Sequence, residues 1–537
     1  MVKVDAVVVG AGFAGLYMLY RLRQQGMTAR VYEAGSGVGG TWFWNRYPGA
    51  RCDVNSLEYS YSFSDALQQE WNWSERFATQ PEILAYANHV ADRFGLRQDI
   101  QLETRVTAAT FDDDRARWVI ETDRGDVTEA TFCIMASGCL SAARAPDFPG
   151  METFRGPVYH TGQWPHEPVD LHGLRVGLIG TGSSGIQAVP VVAEQAAQLT
   201  VFQRTPNFSI PARNAPMDQE RERAWKARYA EHRQAALDTT AGILYEYNDL
   251  QAMNVPHEER VAMFETRWDT GGVNFMRSFS DLMLNREAND TAADFVRDKI
   301  GATVDDPATA ARLMPHDHPI GTKRICIDNG YYDTFNRANV RLVDIRDTPI
   351  EAVTETGLRT SAETFELDAL ILATGFDAMT GALNRIAIKG RGGALMRDKW
   401  AGGPRTYLGL MVAGFPNLFT ITGPGSPSTL ANMIVAIEQH VEWISTCIAT
   451  MRERGVTVIE AEQDAEDAWV AHVNEVANRT LFVLANSWYM GANVPGKPRI
   501  FMPYVGGFGL YRRKCLDVAS NGYEGFRLTA RQHATAA

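Results

Sequence analysis

The chain opens on an apolar run that is typical of a strand buried on both faces. Residues 7–9 are three successive valines, and a glycine-rich turn follows them at once. Apolar residues then recur at helical spacing over 16–22, and a second apolar run over 29–32 ends at Glu33. The pattern predicts a strand, a helix and a second strand, with the glycine-rich turn at the start of the helix.

The same order of elements returns in the middle of the chain. An apolar strand over 175–179 leads into a glycine-rich turn over 180–185, a helix to about residue 197 and a strand over 199–202. A lone G-x-G-x-x-G match is weak evidence, but both matches here have a strand before them and a helix after them. We therefore expect an α/β fold with two Rossmann-like dinucleotide-binding domains.

The remaining pattern divides the chain further. Polar, helix-forming sequence predicts a helical insertion, with helices over 224–236 and 290–299. Apolar strands over 132–138 and 366–375 end at small-residue turns, and a strand over 417–422 precedes a long helix. The predicted ranges are 1–139 and 377–537 for the first domain, 140–212 and 320–376 for the second domain, and 213–319 for the insertion.

Composition narrows the class of protein. Hydrophobic residues make up 45% of the 537 residues and charged residues 22%, which fits several globular domains and neither a disordered nor a fibrous chain. Acidic residues outnumber basic ones by 64 to 52, the net charge is -12, and no Lys/Arg-rich run occurs. This balance argues against nucleic acid or an anionic membrane as a partner and favours a small molecule. We expect a monomer or a weak homo-oligomer.

The cysteines indicate a reducing compartment. All six stand apart without a C-x-x-C pair, so neither a disulfide framework nor a metal site is predicted. The first strand leaves no room for a signal peptide, and no apolar run of about 18 residues occurs. A cytoplasmic protein without a membrane span is therefore expected. The cysteines are Cys52, Cys133, Cys139, Cys326, Cys447 and Cys515.

The first glycine-rich turn has the residue types that a bound pyrophosphate requires. Glycines let the backbone approach phosphates at a positive helix N-terminus, and Glu33 is placed to accept hydrogen bonds from ribose hydroxyls. An acid there favours an unphosphorylated ribose, so NAD and FAD both fit; a tight turn without a ligand is the alternative. The predicted contacts are Gly10, Gly12, Phe13, Ala14, Gly15 and Glu33.

The second unit differs at the discriminating position. Arg204 ends its second strand where an acid would stand, which suits a 2′-phosphate and favours NADP over NAD, although a solvated strand-end charge is the alternative. The two sites together predict a flavoprotein that binds FAD at the first and NADPH at the second, with hydride transfer to the flavin. The contacts predicted for the second turn are Thr181, Gly182, Ser183, Ser184 and Gly185.

Two longer motifs carry a resemblance to a known family. One is F-x-G-x-x-x-H-x-x-x-W-P over 154–165, and the other is G-G-x-W-x-x-x-x-Y-P-G-x-x-x-D over 39–53. Through both motifs, and nearly end to end, the chain resembles type I Baeyer-Villiger monooxygenases. It looks closest to the phenylacetone and steroid monooxygenase branch, which shares stretches such as 321–324 and 487–489. The resemblance implies conversion of a ketone to an ester or lactone with NADPH and O2 through a C4a-peroxyflavin.

The resemblance also implies roles for individual residues. Arg324 and Asp53 match the family's catalytic residues: the arginine stabilises peroxide and oxyanion charge, and the carboxylate positions it. Without the motif, such a pair is more often a plain salt bridge. His160 matches a histidine at the domain junction and is expected to have a conformational role. The helix after Ser426 is expected to point its N-terminus at the flavin, and a simple helix cap is the alternative.

Further cofactor contacts follow from the same resemblance. Lys323 and Arg204 are expected to bind the 2′-phosphate with Thr205 beside them, and Trp488 to contact the nicotinamide half. The remaining implied contacts are Gly40, Thr41, Trp42, Asp53, Tyr59, Val106, Gln187, Arg324 and Met433.

Three other functions each leave part of the sequence unexplained. An N- or S-oxygenating flavin monooxygenase shares both dinucleotide sites, but its fingerprint motif lacks the Trp-Pro ending that stands here at Trp164-Pro165. A disulfide reductase needs a redox cysteine pair beside the flavin, and Cys133 and Cys139 span a predicted strand and its turn. A non-catalytic FAD-binding protein explains neither the second site nor Arg324.

Overall fold

Two strand-helix-strand units stand where the sequence pattern predicts them, at residues 2–32 and 175–203. The computed structural model describes residues 1–530, so residues 531–537 of the predicted last range lie outside the described residues. The strands are β1 Val2–Val9, β2 Ala29–Tyr32, β3 Ile100–Gln101, β4 Val106–Asp112, β5 Arg117–Thr122, β6 Val127–Met135, β7 Val158–His160, β8 Arg175–Ile179, β9 Gln198–Gln203, β10 Ser209–Pro211, β11 Cys326–Asp328, β12 Val340–Asp344, β13 Ile350–Thr354, β14 Gly357–Thr360, β15 Thr364–Glu366, β16 Ala369–Leu372, β17 Ala387–Lys389, β18 Leu418–Thr420, β19 Val456–Ala461 and β20 Phe526–Ala530. The helices are α1 Phe13–Gln24, α2 Thr41–Trp44, α3 Asp65–Glu70, α4 Gln80–Arg93, α5 Ser183–Gln195, α6 Gln219–Lys226, α7 Tyr229–Ala236, α8 His257–Thr270, α9 Arg286–Thr303, α10 Pro307–Leu313, α11 Tyr331–Thr334, α12 Gly381–Asn384, α13 Met396–Lys399, α14 Met433–Glu453, α15 Gln463–Asn478 and α16 Phe508–Ser520.

The larger sheet has eight strands in the order β17-β4-β5-β6-β1-β2-β3, with β18 also paired to β6. β1 is parallel to both of its neighbours, and Val8 pairs with Val31 on one side and Ile134 on the other. Val8 packs into one hydrophobic cluster, whereas Val7 and Val9 pack into another. The valine run is therefore uninterrupted because both faces of this strand are covered.

The second sheet is parallel throughout, in the order β12-β9-β8-β16-β7. Leu178 of β8 pairs with Val201 on one side and Ile371 on the other. The strand predicted over 366–375 is shorter than expected, because Glu366 belongs to the separate strand β15. The predicted α/β fold with two dinucleotide-binding sheets is confirmed.

Helices α6 to α10 fill the predicted insertion, but the single helix predicted over 224–236 is wrong. Arg228 has non-helical dihedrals, with φ −122° and ψ 21°, and it separates α6 from α7. At the end of α6 the buried Lys226 Nζ donates to the Trp71 carbonyl at 2.7 Å and to Asn72 Oδ1 at 2.6 Å. The break therefore accompanies docking onto the first domain, which helix propensity does not reveal.

The chain passes twice between the two sheets, and the crossing segments pair where Arg144 N donates to Gly375 O at 3.0 Å. His160 ends β7 beside them: its Nδ1 accepts from Gly162 N at 3.0 Å, and its Nε2 lies 3.1 Å from Arg144 O. Because one ring nitrogen accepts and the other faces a carbonyl, the proton is on Nε2 of a neutral ring. Burial lowers the pKa of His160, in agreement with this state. The conformational role of His160 stays a prediction, as do the domain ranges.

Within residues 1–530, none of the helices has both the length and the apolar character that a bilayer crossing requires.

Candidate active site

The first glycine-rich turn joins β1 to α1. Gly10 has a φ of +106°, and a Cβ there would lie 2.6 Å from the carbonyl oxygen of Ala136. A Cβ on Gly15 would lie 1.8 Å from the Gly10 carbonyl oxygen. Gly12 is the N-cap of α1, and no side chain caps the helix. The N–H groups of its first turn are therefore left for a ligand, which fits the pyrophosphate of a dinucleotide such as FAD.

Glu33 stands directly after β2 beside this turn and is 6% exposed. Its Oε2 accepts from Ala11 N at 2.7 Å, and its Oε1 accepts from Gly35 N at 2.7 Å. Burial raises the pKa of Glu33, and these backbone donors offset part of the rise. Each carboxylate oxygen keeps a second lone pair, which suits the ribose contact expected from the sequence.

The second glycine-rich turn repeats this geometry between β8 and α5. Gly180 has a φ of +110°, and a Cβ there would lie 2.4 Å from the carbonyl oxygen of Ala373. A Cβ on Gly185 would lie 2.1 Å from the Gly180 carbonyl oxygen. Gly182 is the N-cap of α5, again without a side-chain cap. The second turn therefore fits a dinucleotide in the same way as the first.

Basic side chains gather beside the second turn. Thr181 Oγ1 donates to the carbonyl of Thr205 at 2.8 Å, which places the end of β9 against the turn. Burial lowers the pKa of Lys323, the carboxylate of Asp317 opposes this fall, and the positive charges of Arg204 and Arg346 add to it. Arg346 is ion-paired with Asp344 at 2.6 Å, so Arg204 and Lys323 are the two basic side chains here that suit a phosphate.

Arg324 and Asp53 meet although 271 residues separate them in the sequence. Nε and Nη2 of Arg324 donate to Asp53 Oδ2 at 3.3 and 3.1 Å, and Nη1 donates to the Thr429 carbonyl at 3.2 Å. The Asp53 side chain is 8% exposed and that of Arg324 33%. The carboxylate is therefore buried behind a guanidinium whose surface is partly open.

The charges of this pair support each other. Burial raises the pKa of Asp53, and the neighbouring Arg324 offsets part of the rise. Burial alone would lower the pKa of Arg324, but the Asp53 carboxylate, with smaller contributions from Tyr489 and Cys326, outweighs it and holds that pKa above its ordinary value. Arg324 is therefore a permanent cation in this site.

The ion pair lies between the starts of α1 and α5. Ser183 Oγ, at the start of α5, is 3.2 Å from the Sγ of Cys326, two residues beyond Arg324. The ring of Phe13, at the start of α1, is 6.2 Å from that of Tyr59. Burial raises the pKa of Tyr59, and the hydrogen bond from Trp42 and the charge of Arg324 oppose the rise. One cation therefore stands between the two dinucleotide turns.

An apolar wall stands beside the ion pair. Trp488 and Met433 pack against one buried cluster, which contains Cys139, Met379 and Met502. Cys139 ends the first part of the predicted first domain, whereas Met433 begins α14, so the wall is built from distant parts of the chain. Two side chains implied by the family resemblance are thus brought together.

Other implied contacts lie nearer the turns. A Cβ on Gly40 would lie 2.8 Å from the Cα of Gly12, so the loop leading to Thr41 and Trp42 passes against the first turn. Val106 begins β4 and is not part of the group around Arg324. It packs with Val9 and Tyr32 where β1 and β2 end.

The long helix expected after Ser426 is α14, and it begins at Met433 after a 3₁₀ turn over Ser428–Leu430. Its N-cap is Asn432, whose Oδ1 accepts from Ile434 N at 3.1 Å. The helix therefore has a side-chain cap, and the expectation that its N-terminus points at the flavin stays a prediction.

Sequence reasoning did not predict the contacts that several groups of this site make with one another. Gln187, expected among the cofactor contacts, faces Asp53 and accepts a hydrogen bond from the Tyr47 hydroxyl at 2.7 Å. Burial raises the pKa of Tyr489 to about 12, and Arg324 opposes the rise, so this phenol is close to the guanidinium. Tyr47 stands in a quoted motif and Tyr489 follows Trp488, whereas the Thr429 carbonyl has no sequence signal.

The six cysteines are buried and unpaired. Burial raises the pKa of Cys52, Cys133 and Cys326 to about 12, so these thiols are poor nucleophiles. This weakens the alternative of a disulfide reductase.

Comparisons with known proteins agree with this geometry. Residues 7–222 match a family model described as pyridine nucleotide-disulphide oxidoreductase. An acetone monooxygenase (methyl acetate-forming) of Gordonia sp. (strain TY-5) is 43% identical over 528 residues, covering 98% of this chain and 99% of the relative. A solved structure of oxidized steroid monooxygenase bound to NADP is 53% identical, with a TM-score of 0.95 over 98% of this chain and 100% of that chain. A solved OTEMO complex with FAD and NADP is 42% identical, with a TM-score of 0.95 over 98% of this chain and 99% of that chain.

The similarity runs almost the full length of the compared chains. Forming methyl acetate from acetone inserts one oxygen beside a carbonyl, which is by definition a Baeyer-Villiger oxidation. The predicted enzyme class and the predicted cofactors FAD and NADPH are confirmed. The chain belongs to the Baeyer-Villiger monooxygenases, FAD- and NADPH-dependent enzymes that oxidise ketones.

Proposed function

We propose that Arg324 is the catalytic residue with which this enzyme converts ketones to esters or lactones, using NADPH and O2, and that Asp53 positions it. The supporting observation is a permanent cation, held at 3.1 Å by a buried carboxylate, between two dinucleotide turns. The bound flavin supplies the hydride acceptor and the ring at which O2 is activated. Arg324 supplies fixed donors to the negative charge that develops on oxygen during ketone oxidation.

The hydrogen bonds of Arg324 leave donors for this task. A guanidinium has five N–H groups. Asp53 takes two of them and the Thr429 carbonyl takes one, so two remain, and the Tyr489 phenol is the neighbouring group that can take one of these. The carbonyl and the carboxylate fix the plane of the guanidinium from two sides, and a fixed donor need not reorganise as charge develops.

We further propose that the substrates are uncharged ketones. The Trp488 and Met433 wall is apolar, and methionine side chains adapt to ligands of different shape. The acetone monooxygenase and the steroid monooxygenase are named after compounds of very different size, which agrees with an adaptable wall. A charged group would lose hydration against this wall, so we expect the part of the ketone that packs there to be uncharged.

The buried, unpaired thiols support a reducing compartment, and we propose a cytoplasmic enzyme that is a monomer or a weak homo-oligomer.

The function is tested by isotope labelling. The holoenzyme is supplied with NADPH, ¹⁸O2 and a panel of uncharged ketones, and the products are identified by mass spectrometry. We expect esters or lactones that carry one ¹⁸O, formed with ketone-dependent NADPH consumption. Faster oxygenation of an amine or a sulfide than of any ketone would favour the N- or S-oxygenating alternative and contradict the proposal.

Cofactor choice is a second prediction. Arg204 and Lys323 are proposed to bind a 2′-phosphate, which NADH lacks, so NADPH should have the higher kcat/KM, mainly through KM. Arg204→Ala should reduce the preference by about tenfold or more, since charge-assisted hydrogen bonds contribute about 1.5–3 kcal/mol. Arg337→Ala, at an exposed position, is the control. An unchanged preference in Arg204→Ala would refute the assignment.

A further inference from the structure

The carboxylate oxygen of Asp53 that does not contact Arg324 has its own hydrogen-bond partner. Oδ2 accepts from Arg324, whereas Oδ1 lies 3.4 Å from Gln187 Nε2. Gln187 belongs to α5, which begins at the second dinucleotide turn, while Asp53 follows the loop beside the first turn. One carboxylate therefore receives hydrogen bonds from two separate parts of the second domain.

The orientation of the Gln187 amide follows from chemistry. Its Nε2 also donates to the Arg51 carbonyl at 3.1 Å, and its Oε1 accepts from the Tyr47 hydroxyl at 2.7 Å. A carbonyl and a carboxylate only accept, so the flipped amide would set oxygen against oxygen at both positions. Both N–H groups of the Gln187 amide are thus used by protein partners.

The backbone holds this arrangement together. Gly49 has a φ of +82°, and a Cβ there would lie 2.2 Å from the Gln187 carbonyl oxygen. The loop from Tyr47 to Asp53 is therefore pressed directly against α5, and only glycine allows the approach. Both ends of the Gln187 amide reach the same loop.

We propose that Gln187, oriented by Tyr47, is a positioning residue that fixes the rotation of the Asp53 carboxylate and through it the guanidinium of Arg324. The amide is uncharged, so it holds the carboxylate without competing for the charge that Arg324 needs. The expectation that Gln187 also contacts a cofactor stays a prediction. The inference rests on the proposed role of the Asp53 and Arg324 pair.

The first test is Gln187→Met, which keeps the length of the side chain and removes its polar atoms. Ester-forming kcat should fall about tenfold, as expected for a hydrogen bond to a charged group. KM for NADPH, FAD content and melting temperature should stay close to wild type. Gln195→Met, the same change later in α5, is the matched control and should leave all four quantities unchanged.

Double variants separate positioning from a merely structural role. In an Asp53→Ala background, Gln187→Met should cause no further loss, because Gln187 acts only through Asp53. A crystal structure of Gln187→Met should show the Asp53 carboxylate rotated and its contacts with Arg324 lengthened. If Gln187→Met does not fold, Tyr47→Phe decides: a several-fold loss of ester-forming kcat supports the proposal, and an unchanged kcat overturns it.

Three results would overturn the proposal. They are a raised KM for NADPH with unchanged kcat, a full further loss in the Asp53→Ala background, or an unmoved carboxylate in the crystal structure. Failure of the proposed function itself looks different, because the wild-type enzyme would then form no labelled ester.

Discussion

Arg324→Ala should retain its yellow FAD and its reduction by NADPH, yet form almost no ester. The predicted pyrophosphate contacts of FAD lie at the first glycine-rich turn and its predicted ribose contact is Glu33, and the substitution touches neither. The proposed role of Arg324 is to stabilise charge during oxygen transfer. Loss of one preorganised donor of this kind typically costs about 10²- to 10³-fold in rate. Product formation under saturating NADPH and ketone measures the effect.

Arg324→Lys is the informative companion to this variant. Lysine keeps a positive charge but cannot form the paired hydrogen bonds that a guanidinium forms with a carboxylate. Its rate should lie between those of Arg324→Ala and wild type. If Arg324→Ala keeps more than about a tenth of wild-type ester formation, the role assigned to Arg324 is wrong.

Asp53→Ala should slow both flavin reduction and ester formation while FAD stays bound. Removing the carboxylate leaves Arg324 with only the Thr429 carbonyl among its observed hydrogen-bond partners. A misplacement of about 1 Å can cost roughly 100-fold in rate, and the same guanidinium lies beside both dinucleotide turns. Stopped-flow absorbance at the flavin band measures reduction, and product analysis measures oxygenation.

The side chain of Asp53 also allows a finer comparison. Asp53→Asn keeps the shape and one acceptor oxygen but loses the charge that raises the pKa of Arg324. Its loss should be smaller than that of Asp53→Ala, because the remaining oxygen still restrains the arginine. Equal losses would show that charge, and not position, is what Asp53 contributes.

Some of this site could be predicted from local sequence. The turns at Gly10 and Gly180 were predicted because a strand, a tight turn and a helix are adjacent in the chain and need glycine there. Arg204 was predicted from its place at a strand end. These features depend on neighbours in sequence, which a pattern can show.

The rest depends on contacts between distant segments. Asp53 and Arg324 are far apart in the chain, and only resemblance to a family linked them. The Thr429 carbonyl is a backbone group that every residue has, so the residue type at this position does not predict the contact with Arg324. The break between α6 and α7 follows from docking of Lys226 onto another domain, which overrides a continuous run of helix-forming residues.

The central claim is that Asp53 and Arg324 act as one unit, and a double-mutant cycle tests it most directly. Ester-forming kcat/KM is measured for wild type, Asp53→Ala, Arg324→Ala and the double variant. Residues that act as a unit show strongly non-additive losses. We predict that the double variant is close to Arg324→Ala alone; losses that simply multiply would show that the two residues work independently and would contradict the account.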